Sequence, residues 1–412
     1  MPDTSIDILF SVQEAILKHV STDFKRSLYN QIDWSQRLVE IYGARGVGKT
    51  ILMLQRVIEL QDNSNFFPLY VSADHLYFFG NSLYDLADQF YKRGGTHLFI
   101  DEIHRYPAKL PNYDWSAELK VIYDSFPSLM LVYSGSSVLD LYRGLGDLSR
   151  RKIGYYLPGL SLREFLEFEN ILDYEILPLE EILSDHYHAA KDITAKIRII
   201  PAFDKYLKNG YYPFYKQAQN IALYYRRIQE VINTVLENDI VSILDVKYET
   251  VSKLKKLLDA ISSTTPYTSE IKRLSELLHI KDYKTTLRLI DLLDKAQLLL
   301  QLKQKAKGNK ILQKPDKIYL NNTNLMYALD FGQIDIGTVR ETFFLNQLNY
   351  KHSIHYPKTV DFLVDDKWLF EIGGKNKTRK QIAGQEEAYI AADDIEIGFG
   401  NKIPLWLFGF LY

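Results

Sequence analysis

The sequence predicts an α/β fold in which a parallel sheet carries helices on both faces. Four short apolar runs, each long enough for one buried strand, alternate with segments of helical periodicity. A glycine-rich turn follows the first run, and polar residues follow the third and the fourth. Because ligands of such sheets bind beyond the carboxyl ends of the strands, we expect a functional site at that edge.

The composition is that of an ordinary globular protein. The chain has 412 residues, 46% of them hydrophobic and 25% charged, which is enough for roughly two to four domains. A formal net charge of -2 gives no overall field that would attract nucleic acid, and the absence of cysteine excludes disulfides and thiolate metal sites. The first twenty residues lack the pattern of a signal peptide, and no apolar run reaches membrane length, so we expect a cytoplasmic protein without a membrane span.

The first part of the chain contains the four predicted strands, at 38–42, 66–71, 97–100 and 129–133. Helical periodicity lies before and between them, at 12–30, 51–60, within 74–91 and at 115–124. Apolar strands that alternate with helices in this way favour a doubly wound parallel sheet.

The rest of the chain has a different texture. Residues 161–245 are mostly helical in period. Two helices at 269–278 and 283–299 are joined by a short turn, and a hairpin with arms at 298–302 and 317–320 follows, which is the order of a winged helix-turn-helix. From about residue 330 a small α/β unit is predicted, with a helix at 341–348, strands at 359–364 and 368–372, a helix at 380–389 and a strand at 405–411.

The turn after the first strand has the pattern G-x-x-x-x-G-K-[ST]. Its residues are Gly43, Ala44, Arg45, Gly46, Val47, Gly48, Lys49 and Thr50. Glycines allow consecutive backbone N–H groups to face an anion, and the helix that follows directs its positive end to the same place. Lys49 would reach the β- and γ-phosphates of a nucleotide, and Thr50 would ligate Mg²⁺. The alternative is a plain glycine turn before a helix.

Two acidic residues, Asp101 and Glu102, directly follow the third strand. Asp101 is placed to hold Mg²⁺ through its water shell, and Glu102 to orient and deprotonate an attacking water. The alternative is a strand that ends in solvated acids, which the independent signal of the glycine-rich loop makes the weaker interpretation.

Further candidates follow the fourth strand. Ser134 and Ser136 end that strand, and a hydroxyl there could contact the γ-phosphate or the water; the alternative is a serine-rich turn. Arg150 and Arg151 come next, and a guanidinium group could stabilise charge on the γ-phosphoryl group of the same or a neighbouring subunit. A surface ion pair is the alternative for the arginines.

Together these segments resemble AAA-type ATPases, and in particular a prokaryotic family of AAA ATP-binding proteins. The matching segments are GARGVGKT at 43–50, LFIDEIHRY at 98–106, YSGSSVLDL at 133–141, DLSRR at 147–151, LPGLSLREFLEF at 157–168, FDKYLKNGYYPFY at 203–215 and VLENDI at 235–240. The resemblance implies ATP as the nucleotide, Asp101 and Glu102 as the Walker B pair, and Arg150 as an arginine finger or sensor. It also implies a P-loop ATPase domain at 1–160, a helical lid at 161–245, a winged helix at 246–325 and a nuclease-like tail at 326–412.

The tail of that family resembles PD-(D/E)XK nucleases, whose site uses a helix glutamate, a strand aspartate and a Glu-x-Lys pair. Glu341, Asp361 and Glu371 match the three acids. The position of the expected lysine is Gly373, although Lys375 lies four residues after Glu371. A degenerate tail that contributes only binding surface or packing is the alternative to a Mg²⁺-dependent nuclease.

DNA is a candidate partner because basic residues cluster at the predicted recognition helix, wing and tail. They are Lys281, Lys284, Arg288, Lys305, Lys307, Lys310, Lys375, Lys377, Arg379 and Lys380. Such groups suit phosphate contacts, but lysine-rich loops are often only solvated. Three functions therefore remain open: an ATPase that controls a binding domain, an ATP-controlled DNA nuclease, and a slowly hydrolysing DNA-binding switch. A homo-oligomer is compatible with each of them.

Overall fold

The computed structural model describes residues 5–107, 115–137, 148–241, 248–264, 266–268, 271–305, 314–329 and 334–412. The chain divides into two compact units. The first unit comprises Met1–Pro158 and Glu237–Val246, and the second comprises Gly159–Leu236 and Lys247–Tyr412. The finer division into four domains stays a prediction, and the wing lysines Lys307 and Lys310 lie outside the described residues.

The first unit is built on a five-stranded sheet. Its strands are β1 (Leu38–Gly43), β2 (Pro68–Ser72), β3 (His97–Asp101), β4 (Met130–Ser136) and β5 (Ile153–Tyr156). The order is β2-β3-β4-β1-β5, and every pairing is parallel, as in the P-loop NTPase fold. The four predicted strands are confirmed. The fifth was missed because β5 is a half-exposed edge strand and lacks an apolar run.

The helices of the first unit are α1 (Ile6–Leu17), α2 (Lys49–Gln61), α3 (Leu83–Lys92) and α4 (Trp115–Ser125). The helix predicted at 12–30 was wrong in position, since α1 ends at Leu17. Beyond that end, the Asp23 backbone N–H donates to the Ser21 hydroxyl over 3.2 Å, a local bond that competes with helical hydrogen bonding within the rest of the predicted range.

The second unit begins with helices and a hairpin. The helices are α5 (Leu162–Phe168), α6 (Leu179–Lys196), α7 (Ile199–Asn209), α8 (Ile221–Thr234), α9 (Tyr248–Ser262), α10 (Ile271–Leu277), α11 (Tyr283–Lys295), α12 (Thr323–Leu329) and α13 (Ile336–Leu348). Strands β6 (Leu299–Leu302) and β7 (Lys317–Leu320) pair antiparallel, so helices α10 and α11 and the hairpin follow one another as predicted. The assignment of this region as a winged helix stays a prediction.

The second unit ends in a mixed five-stranded sheet. Its strands are β8 (Ile354–His355), β9 (Phe362–Val364), β10 (Trp368–Gly373), β11 (Ala388–Ala392) and β12 (Lys402–Pro404), in the order β12-β11-β10-β9-β8. The helix predicted at 380–389 was wrong: only a short 3-10 helix, Arg379–Ile382, forms there, and β11 begins at Ala388 and pairs parallel with β10. The strand predicted at 405–411 was also wrong: Leu405–Phe410 is a short 3-10 helix, wholly buried, and an apolar run alone does not distinguish a buried helix from a strand.

Among the described residues, no helix has the length and apolar character needed to cross a bilayer.

Phe344, on α13, packs against the apolar side chains of the C-terminal sheet. This ring is fully buried and lies with its centroid 5.3 Å from that of Phe362, 4.9 Å from Phe370 and 4.9 Å from Phe408. Phe344 therefore joins α13 to β9, β10 and the C-terminal 3-10 helix.

We expect Phe344→Ala to destabilise the second unit by about 3–5 kcal/mol, because it leaves a cavity among three aromatic rings. The measurement is the urea midpoint followed by circular dichroism. Phe399→Ala is the matched control, since Phe399 is 86% exposed and its loss should leave the midpoint unchanged. Equal effects of the two substitutions would contradict the proposed packing role.

Candidate functional site

The glycine-rich loop lies between β1 and α2, and its glycines are required by its backbone. Gly46 and Gly48 have φ angles of 86° and 104°, in the region that side chains disfavour. At Gly43 an added Cβ would lie 2.3 Å from the carbonyl oxygen of Leu157. The loop therefore keeps its shape only with glycine at these positions.

Lys49 begins α2 and is directed back into the loop. It is only 5% exposed, and its ammonium group donates to the carbonyls of Gly43 and Ala44, each over 3.0 Å. Burial lowers the pKa of Lys49, while the nearby carboxylates of Glu102 and Asp101 oppose that shift. An anion in the loop would also offset the cost of burying this charge, so the loop fits a phosphate group.

Asp101, at the end of β3, accepts hydrogen bonds from three neighbouring segments. The hydroxyl groups of Thr50 and Tyr70 donate to one carboxylate oxygen over 2.6 and 2.7 Å, and Ser134 donates to the other. Burial and Asp101 itself raise the pKa of Tyr70, which keeps that phenol a hydrogen-bond donor. A threonine hydroxyl beside a carboxylate is a hard-oxygen donor set of the kind that Mg²⁺ prefers.

Glu102 follows in the left-handed backbone conformation, with φ of 53°, which is uncommon for a residue with a side chain. Its backbone N–H donates to the hydroxyl of Ser134 over 3.0 Å and to the Asp101 carboxylate over 3.1 Å. Its Oε2 atom is buried and accepts no hydrogen bond from the described residues. Backbone strain and an unused acceptor at one residue are typical of a functional position.

The structure places the other two predicted residues differently. Ser136 is buried on β4 and lies opposite Gly43 in the register, whereas the hydroxyl that contacts Asp101 and Glu102 belongs to Ser134. Arg150 is exposed in a turn, next to Arg151, whose guanidinium pairs with Asp124 at 3.0 Å. The catalytic roles of Ser136 and Arg150 stay predictions.

Sequence reasoning missed three residues of this site. Arg26 is buried and donates to the loop carbonyl of Val47 over 2.7 Å and to that of Pro158 over 2.8 Å. Tyr70 holds Asp101, as described above, and Asp239 lies 3.4 Å from Arg45. No local motif marks Arg26 or Tyr70. Asp239 lies in the VLENDI segment, which matched the family resemblance but to which no role was assigned.

A second cluster of predicted residues lies in the second unit. Lys317 on β7 places its ammonium group 3.2 Å from Glu341 and 3.6 Å from Asp361. Burial raises the pKa of Glu341 and of Glu371, and repulsion from Asp361 adds to both shifts. The structure therefore brings Glu341, Asp361 and Glu371 into one electrostatic cluster, while their role as a nuclease site stays a prediction.

The lysine that contacts Glu371 is Lys377, whose ammonium group lies 2.5 Å from the carboxylate. An added Cβ at Gly373 would lie 2.8 Å from Cδ of Lys377, so the Lys377 stem occupies the space beside that glycine. Lys375 is exposed, and its carbonyl accepts a hydrogen bond from Lys402 over 2.5 Å. Within the described part of the chain, no three carboxylate or histidine side chains form a group that could hold a metal ion.

Comparison with solved structures finds several similar chains. A Walker-type ATPase of Pyrococcus abyssi is 12% identical, covers 80% of this chain and 98% of its own, and has a TM-score of 0.42. The Aeropyrum pernix Orc1 protein in complex with DNA is 13% identical, with coverage of 80% and 94% and a TM-score of 0.30. AMPPCP-bound DnaA from Aquifex aeolicus is 13% identical, with coverage of 70% and 87% and a TM-score of 0.25.

Comparison of the sequence with protein families gives two matches, and no curated protein matches it. Residues 200–336 match a domain of unknown function (DUF8612). Residues 35–166 match the AAA domain, and this segment contains the glycine-rich loop, Asp101 and Glu102. Because the structural likenesses have low TM-scores, the assignment depends on the family match and on the geometry of the loop. Residues 35–166 are thus similar in sequence to AAA domains, and they carry a phosphate-binding loop of the P-loop type.

Proposed function

We propose that this protein binds ATP with Mg²⁺ and hydrolyses it, and that the nucleotide state controls binding of a partner by the second unit. The observation that carries the proposal is the 2.6 Å hydrogen bond between Thr50 and Asp101. It brings a P-loop hydroxyl and a strand-end carboxylate together beside the buried ammonium group of Lys49. The choice of ATP as the nucleotide rests on the AAA match.

Each group of the site has a separate task in the proposed reaction. The loop N–H groups and Lys49 would bind the phosphates, and Thr50 and Asp101 would hold Mg²⁺, which neutralises charge on the phosphoryl oxygens. Glu102 would orient water and accept its proton at Oε2, the atom that accepts no hydrogen bond from the described residues. Ser134 would fix the direction of Glu102 by accepting its backbone N–H.

We expect Lys49→Ala to abolish binding of MgATP, because the loop loses its only ammonium group. We expect Glu102→Gln to bind MgATP normally and to lose about 100-fold or more in turnover, because an amide cannot accept the proton. Calorimetry and phosphate release measure the two effects. Lys92→Ala is the control: Lys92 is 70% exposed in side chain and pairs with Asp88 on the helix surface. Tight ATP binding by the Lys49 variant would refute the proposed site.

DNA is the partner that we propose for the second unit. Lys281, Lys284 and Arg288 are exposed at the start of α11 and along it, where cationic groups suit contacts with phosphates. ATP turnover with and without duplex DNA tests whether the two activities are linked.

We expect the triple variant Lys281→Ala, Lys284→Ala and Arg288→Ala to bind duplex DNA more weakly at low salt, with a shallower dependence of affinity on salt. Gel shifts at two salt concentrations measure both. The matched control removes the same charge from Lys191, Lys196 and Arg198, which are exposed on or beside α6. Equal losses in the two triple variants would mean that α11 has no special part in DNA binding.

DNA cleavage is not part of the proposal, because the carboxylate cluster of the second unit does not fit a metal ion as it is arranged. The ammonium group of Lys317 lies within 3.6 Å of both Glu341 and Asp361, and that of Lys377 pairs with Glu371. These lysines supply the positive charge that a divalent cation would otherwise provide. We propose that the cluster stabilises the fold.

We expect Lys317→Met to lower the free energy of unfolding by about 1–3 kcal/mol at pH 7.5, because it leaves two half-buried carboxylates without a counter-ion. The loss should be smaller at pH 5. Glu341 already has a raised pKa, so its protonated form is favoured in the folded state, and that stabilisation fades as pH rises. Urea denaturation at both pH values measures the effect. Lys305→Met, in an exposed pair with Asp366, is the control. Plasmid nicking in Mg²⁺ that disappears in Asp361→Asn would contradict a purely stabilising cluster.

A further inference from the structure

Glu102 has a second carboxylate as its neighbour, that of Asp239. This residue ends the π-helical turn Val235–Asp239, and it belongs to the first unit although α6 to α8 separate it in sequence from the AAA segment. It is 1% exposed. A carboxylate so deeply buried is stable only with partners of opposite charge.

Asp239 and Glu102 share the same three partners. Arg45 lies 3.7 Å from Oε2 of Glu102 and 3.4 Å from Oδ1 of Asp239. The imidazole of His104 lies 3.4 Å from Oε2 of Glu102 and 3.6 Å from Oδ1 of Asp239. For the guanidinium group of Arg105 the two distances are 3.4 and 3.5 Å. Each partner therefore lies between the two carboxylates, at nearly equal distance from both.

The carboxylates of Asp239 and Glu102 differ in the hydrogen bonds that they accept from these partners. Arg45 donates a hydrogen bond to Asp239, whereas Oε2 of Glu102 accepts none from the described residues. Burial alone would raise the pKa of Asp239, but His104, Arg45 and Arg105 hold it below its usual range. Asp239 is therefore a charged anchor for the two arginines, whereas Oε2 of Glu102 lies near them without accepting a hydrogen bond from the described residues.

We propose that Asp239 is a positioning residue for ATP hydrolysis, which keeps Arg45, His104 and Arg105 from closing on the carboxylate of Glu102. This inference rests on the proposed ATPase function. Without Asp239, two guanidinium groups would lie beside one buried carboxylate, and charge-assisted hydrogen bonds to Oε2 would occupy the atom that must accept the proton of water.

The inference gives a role to a residue within the domain of unknown function, which matches residues 200–336. Asp239 lies in that match and outside the AAA match at 35–166, but it belongs to the first unit and shares its partners with Glu102. The expected signature is a change in turnover that is separate from nucleotide affinity.

The test compares Asp239→Asn with Asp74→Asn in the 412-residue chain. Asp74 also pairs with Arg105, at 3.6 Å, but its side chain is 50% exposed, so it is a matched control. We expect Asp239→Asn to bind MgAMPPCP within about threefold of wild type and to lose about tenfold or more in kcat, because the network loses one of two carboxylates. Asp74→Asn should keep the wild-type affinity for MgAMPPCP and the wild-type kcat.

A second substitution distinguishes positioning from a merely structural role. In Asp239→Asn, the further change Arg105→Gln removes one surplus cation, so we expect kcat to rise again at unchanged affinity for MgAMPPCP. A structural anchor would instead lose thermal stability and nucleotide affinity together, and the second substitution would not restore turnover.

Wild-type kcat in Asp239→Asn, or a double variant slower than the single one, would overturn this inference while ATP hydrolysis by the wild type still stands. If the wild type binds MgATP but does not hydrolyse it, the proposed ATPase function fails, and this inference fails with it. Measuring the wild type, Glu102→Gln and Asp239→Asn side by side therefore separates the two failures.

Discussion

The parallel pairing of β1, β3 and β4 is the constraint on which the nucleotide site depends. Parallel strands end at a common edge, and the register sets Gly43 opposite Ser136 and Ile100 opposite Tyr133. Because of this alignment, the loop that leaves β1 meets the carboxylate that ends β3, and Thr50 reaches Asp101 although 51 positions separate them. The same edge brings the hydroxyl of Ser134 to Asp101 and Glu102.

Both units contain clusters of acidic and basic side chains that are largely removed from solvent. In the first unit, the buried carboxylate of Asp239 and the partly exposed carboxylate of Glu102 share three nitrogen-bearing side chains, and in the second unit two lysines neutralise three clustered acids. Buried ion pairs contribute little net stability, because desolvation offsets much of their attraction. The network around Glu102 is therefore better explained by the catalytic role that we propose for Glu102 than by stability, whereas the lysine-filled cluster of the second unit is explained by the need to neutralise its acids.

Gly373 departs from the expected sequence motif, but the structure gives a reason for a glycine at this position. The Glu-x-Lys pattern expects a lysine there, and a glycine suggests a lost site. In the folded chain the missing side chain makes room for the stem of Lys377, whose ammonium group reaches Glu371 from six positions away. The positive charge is retained, but it arrives from a loop.

The sequence by itself determined the local features. The glycines, Lys49 and Thr50 of the loop, the acids after β3 and four of the five strands could be predicted, because each is encoded within a few consecutive residues. Only the tertiary structure decided which distant side chains complete the site. Arg26, Tyr70 and Asp239 contact it through pairings that depend on the fold of the whole unit, and no short pattern records them. The edge strand β5 was not predicted, and the buried 3-10 helix at 405–410 was predicted as a strand. Both errors have the same reason, since these conformations depend on what packs against the segments.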